Sequence, residues 1–143
     1  MKNSVQFSDA VHILAYIATF QDSNQLSSTD IAASVHTNPS NVRKIMGPLR
    51  DAGLIKTTNG TPKPYLAKAP SDISFFDIYR SLEQPEIFQV DTETEPQCPV
   101  GGNIQSILSD EYLLLQQTVE EKMHQISLEH ILQKITQAEL EKK

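Results

Sequence analysis

The chain has 143 residues, a net charge of −6 and one cysteine, Cys98. That length is about one domain, enough to bury a core, and a single thiol excludes an intramolecular disulfide, a Cys-rich zinc site and a cluster held by several of the chain's own thiolates. No apolar run approaches the roughly 20 residues that cross a bilayer and no secretion signal is visible, so a cytoplasmic protein without a membrane partner is expected.

Phe7, Val11, Leu14, Ile17 and Ala18 fall at helical spacing and predict a first helix over 7–20. A second helix follows Ser27, an N-cap for Asp30, with Leu26 and Ile31 at the positions of a hydrophobic staple, and runs to about Val35. His36-Thr37 form a brief turn at a place often taken by glycine, and histidine tolerates positive φ better than most residues. Asn38 caps a third helix with Pro39 at its first position; Val42, Ile45, Met46 and Leu49 point inward, and Gly53 is the left-handed stop. Pro48 inside that helix removes one backbone hydrogen bond and is expected to kink the last turn.

Residues 54–57 and 65–68 read as two short strands around a long tip, with Pro62 and Pro64 expected to keep the tip out of the ladder. Tyr65 and Leu66 are expected to pack this hairpin onto the helices. A fourth helix follows Ser74, paired with Asp77 in a capping-box variant and flanked by Ile73 and Ile78. An acidic, proline-bearing linker, Pro85 to Pro99, leads to a long helix. On it Ile104, Leu108, Tyr112, Leu115, Val119, Met123 and Ile126 form one apolar stripe, and Ile107 and Leu114 a second beside it. At 1.5 Å per residue this helix would extend roughly 35–40 Å. Its far stripe needs a partner, most simply its own copy in a two-fold dimer. Ser127 caps a final helix carrying Leu128, Ile131, Leu132 and Ile135.

The fold class expected is mainly α: a winged helix-turn-helix with a small β-hairpin wing and a long C-terminal dimerisation helix. The expected divisions are 1–83 for the DNA-binding unit, 84–100 for the linker with Cys98, and 101–143 for the helical dimerisation region. The acidic total hides a segment, Thr37 to Ala69, with a net charge of +5, followed by Pro70 to Lys143 at −9. A phosphate-binding surface needs local positive charge, not a positive total.

The third helix would lie in the major groove, with Pro39, Ser40, Asn41, Arg43 and Lys44 near its leading end. Arg43 suits a guanine edge, Asn41 an adenine edge and Lys44 a phosphate. Ser28 and Thr29 would offer hydroxyls and N–H groups to a phosphate, and Asn59, Thr61 and Lys63 would carry the wing tip to the backbone or the minor groove. For Arg43 the plainer reading is a surface arginine paired with a carboxylate.

These features together resemble the BadM/Rrf-two family of bacterial winged-helix regulators. The resemblance rests on LSSTDIAASVHTNPSNVRKIMGPLRDAGLIKT, the Tyr65-Leu66-Ala67 strand, ISFFDIYRSLE and CPVGGNIQSIL, and covers nearly the whole chain. It implies a homodimeric repressor or activator held by the long helix. Several members of that family hold an iron–sulfur cluster through three linker cysteines; with Cys98 alone this chain resembles the cluster-free branch, and no cofactor and no metal site are expected. The family's wing often carries an arginine and a glycine-rich tip, where this chain has Asn59 and Lys63-Pro64.

Cys98 precedes the start of the long helix, where unpaired N–H groups favour a thiolate, so a thiol sensor answering an oxidant or a small-molecule effector is one reading and an inert buried cysteine the other. The four histidines lack metal-ligand spacing, and no Gly-rich phosphate loop, G-x-S-x-G or H-E-x-x-H occurs. The expected function is a sequence-specific regulator that binds a pseudo-palindromic duplex as a homodimer. The alternatives are a winged-helix module for a protein partner and, last, a thiol enzyme.

Overall fold

The computed structural model of the chain describes residues 2–58 and 61–143. Among the described residues six α-helices and one two-stranded ribbon follow in the order α1 (Lys2–Phe20), α2 (Ser28–Val35), α3 (Pro39–Asp51), β1 (Ile55–Thr58), β2 (Thr61–Leu66), α4 (Phe75–Ser81), α5 (Ile104–His124) and α6 (Leu128–Glu141), with a short 3₁₀ turn at Pro70–Asp72. The chain divides into two compact units. One runs to Gln84 and adds His124–Lys143; the other is Pro85–Met123.

The first unit is built around α1. Ala10, Ile13, Leu14 and Ile17 are fully buried, and Ile31 of α2, Val42, Ile45 and Leu49 of α3, Ile55 of β1, Ile73, Ile78 and Leu128 close around them. Each short helix is started by its sequence. Ser27 and Asp30 form a capping box at α2, Ser74 and Asp77 another at α4, and Asn38 accepts from the Asn41 N–H at 2.8 Å to start α3. Gly53, at φ 79°, stops the chain after α3 as expected. Pro48 lies inside α3 and deprives the Lys44 carbonyl of its helical donor, yet α3 continues to Asp51.

The wing differs from the expectation at its prolines. β2 includes both Pro62 and Pro64, and Pro64 stands opposite Thr57; the register slips only after that pair, so that Thr58 meets Thr61. A two-stranded ribbon has only edge strands, and edge strands accept proline.

A second contact has no local signature. Ser74 and Ser127, the N-caps of α4 and α6, face each other in an isolated antiparallel bridge. The Phe75 N–H donates to the Ile126 carbonyl and the Leu128 N–H to the Ile73 carbonyl, both at 2.8 Å. Residues 124–143 thus pack with the N-terminal unit, whereas the expected third division grouped them with 101–123. Phe7 meets Phe75 edge-on at 5.3 Å, and His124 stacks on Phe76 at 4.1 Å.

The second unit folds the linker along α5. The Ile87 N–H donates to Gln116 Oε1 at 3.0 Å, Gln116 Nε2 donates to Glu120 at 2.8 Å, and Phe88 lies 5.4 Å from Tyr112. At 21 residues α5 is about 30 Å long, shorter than expected because it ends at His124. Of the anticipated stripe, Ile104, Leu108, Tyr112, Val119 and Met123 are half-buried within the chain and Leu115 is exposed. Exposed on α5 are Leu115, Leu113 and the second stripe, Ile107 and Leu114.

Leu128 sits in the core at no exposure. Leu128→Ala is therefore expected to cost about 2–5 kcal/mol of unfolding free energy, against about 1 kcal/mol for Ser27→Ala at an exposed cap. Paired denaturant melts check the ranking; a silent Leu128→Ala would show that α6 is dispensable to this unit.

Candidate nucleic-acid interface

The recognition geometry starts at the α2–α3 turn. His36 takes the left-handed conformation (φ 63°, ψ 49°) and its N–H and that of Thr37 both reach the Ala32 carbonyl. The turn is therefore a helix stop of the glycine type executed by a histidine. Burial of Val42, Ile45, Met46 and Leu49 then sets the rotation of α3 and leaves Ser40, Arg43 and Lys44 exposed on the other side. Among the described residues the recorded ion pair is Lys142 with Glu139, so neither Arg43 nor Lys44 is tied to a carboxylate. The plainer reading of Arg43 is not what this structure shows.

Pro39 is half-buried at the first position of α3. Asn41 is also half-buried, and its side-chain N–H donates to Thr37 Oγ1 at 3.1 Å, so the amide braces the turn from which α3 departs. At α2 the Ser27 hydroxyl satisfies the Asp30 N–H, which leaves the N–H groups of half-buried Ser28 and exposed Thr29 for an outside acceptor. On the wing, Lys63 is half-buried and Thr61 opens β2, while Asn59 lies outside the described residues. Leu66 packs against the core, as expected. Tyr65 does not; it is 42 % exposed, because its register partner is the exposed Lys56 rather than the buried Ile55.

Cys98 is exposed, not buried. It lies in a tight series of turns in which Thr94 Oγ1 donates to the Gly101 carbonyl at 2.6 Å and the Gly102 N–H to the Cys98 carbonyl at 2.8 Å. A side chain at Gly101 would come within 2.6 Å of the Glu95 carbonyl oxygen, so only glycine fits there. The backbone N–H of Gly101, and then that of Val100, point at the sulfur and lower its pKa from the usual thiol value.

The comparisons with known proteins agree with this geometry. The family model Rrf2, described as an iron-dependent transcriptional regulator, matches residues 3–134. The chain belongs to the Rrf2 family. It is 36 % identical over 124 residues to YwnA of Bacillus subtilis strain 168, described as an HTH-type transcriptional regulator, covering 86 % of this chain and 91 % of that one. A crystal structure of a DNA-binding protein superposes with a TM-score of 0.73 at 32 % identity, covering 89 % of this chain and 98 % of that one. A transcriptional regulator from Lactobacillus plantarum gives 0.77 at 25 % identity, with coverages of 97 % and 99 %. The protein is thus a winged-helix transcriptional regulator with a DNA-binding fold, and not an enzyme.

The family's iron does not fit this member. The sequence holds one cysteine, and among the described residues no three His, Cys, Asp or Glu side chains come together to hold a metal ion. Among the described residues no helix is long and apolar enough to cross a membrane.

The lowered Cys98 pKa gives a pH prediction. Because the folded form favours the thiolate, alkylation by iodoacetamide should accelerate at a lower pH in the native protein than in urea, where the Gly101 N–H is no longer held in place. Gly101→Ala should move the native midpoint up. Identical profiles with and without urea would show that the loop does nothing to the thiol.

Proposed function

We propose that this Rrf2-family protein is a homodimer that binds a pseudo-palindromic DNA site, one half-site per subunit, and represses by occupying that site in the cytoplasm. The observation that carries the reading is the exposed face of α3, on which Arg43 and Lys44 stand free of any carboxylate among the described residues. Arg43 reads a guanine edge through two N–H donors, Lys44 and the start of α2 at Ser28 and Thr29 hold phosphates, and Ser40 approaches a base or the backbone. Asn41 acts first as a brace for the turn. Lys63 on the wing reaches the flanking backbone.

The dimer is supported by α5. Ile107, Leu113, Leu114 and Leu115 are 46–60 % exposed, more apolar surface than one solvated helix ordinarily shows. A second copy covers it most simply, with Ile104, Leu108, Tyr112, Val119 and Met123 backing the seam. Cys98, exposed and inclined to the thiolate, is the place where an oxidant or a thiol-reactive small molecule would act. An effector changes affinity only by favouring one arrangement of the two recognition helices over another.

Selection of bound duplexes from a random pool, with reduced and with oxidised protein, tests site symmetry and thiol coupling together. Binding of the selected duplex should weaken steeply with salt, and Arg43→Ala should cost about 1–3 kcal/mol and relax preference at one position per half-site. A flat salt dependence with no enriched sequence would point instead to a protein-binding winged helix. Leu114→Glu should yield a monomer by light scattering; a variant that stays dimeric would place the seam elsewhere.

A further inference from the structure

The wing ribbon has two unlike faces. Residues directly opposite in an antiparallel pair share a face, and neighbours along a strand alternate. Ile55 stands opposite Leu66; Ile55 is fully buried, Leu66 packs on the core, and Pro64, on the same side of β2, is buried. The opposite face carries Lys56 directly across from Tyr65, with Lys63 two residues before Tyr65. Lys56 is exposed and Tyr65 is 42 % exposed, and among the described residues neither side chain has a recorded hydrogen-bond or ion-pair partner. A tyrosine that only fastened the wing would lie on the Ile55 side.

A flat ring ending in a hydroxyl, on a ribbon face that also carries Lys56 and Lys63, matches one surface chemistry closely: an alternation of apolar sugar and anionic phosphate. We infer that Lys56 and Tyr65 form a clamp for the DNA backbone, in which the Tyr65 hydroxyl donates to a phosphate oxygen, its ring lies along the deoxyribose, and the Lys56 ammonium neutralises the same or the next phosphate. The inference rests on the DNA-binding reading above and extends it to two residues that position the duplex without reading its sequence.

Fluorescence anisotropy separates the roles. The probes are a duplex selected from a random pool by the wild-type protein and a scrambled duplex of the same length. Tyr65→Phe, which loses only the hydroxyl, should bind both duplexes about fivefold more weakly with an unchanged salt slope, because a phenol carries no charge. Lys56→Gln should weaken both and reduce the slope of log affinity against log salt by about one. Arg43→Ala should instead lose the preference between the two duplexes. Both wing side chains are exposed, so melting temperatures should not move. If Tyr65→Phe and Lys56→Gln bind as wild type with the same slope while Arg43→Ala loses preference, the clamp is refuted and the recognition helix stands. If the wild type prefers neither duplex and Arg43→Ala is silent, both readings fall.

Discussion

Everything this protein presents to the outside depends on how α3 is rotated, and that rotation is set by burial. Val42, Ile45, Met46 and Leu49 enter the core at spacings of three, one and three, which is one face of a helix. The remaining positions, Ser40, Arg43 and Lys44, then have only one direction left. A turn of about 100° per residue means that a helix slipped by one position would bury Arg43 and expose an isoleucine. The hydrophobic effect thus specifies the chemistry of the exposed face without touching it. The capping boxes and the left-handed His36 fix the ends of the same elements, so the leading end of α3 is held both by packing and by geometry.

Much of this was legible in the sequence because the signals are local. A cap needs its side chain three residues from its target, a staple needs two apolar residues in fixed places, and Pro39 and Gly53 act on their own backbone. Those rules located α2, α3 and α4 and their buried faces, and with them the exposed arginine and lysine. The features that escaped are tertiary. Nothing near Ser74 announces that its backbone will pair with Ser127, 53 residues away. Gln116 reads as one more polar helix residue, yet it is buried and receives the Ile87 N–H.

The wing was the hardest element to read. Pro62 and Pro64 argue against a strand everywhere except at an edge, and the ribbon has no other kind of strand. Because the ladder was expected to stop short, Tyr65 had no register, and without a register its face could not be assigned. The same holds for the long helix. Its two apolar stripes were visible, but which of them the chain would cover itself depended on Phe88 and the linker folding back over Tyr112.

The bridge between Ser74 and Ser127 has a consequence for synthesis. The carbonyl of Ile73 and the hydrophobic space filled by Leu128 are completed by residues far later in the sequence than the helices they close on. A ribosome releases earlier residues first, so the helices that carry the arginine and lysine must wait, with one seam of their core still open, until Leu128 emerges from the exit tunnel. A product cut before Leu128 keeps that seam open, with an apolar notch where α6 belongs.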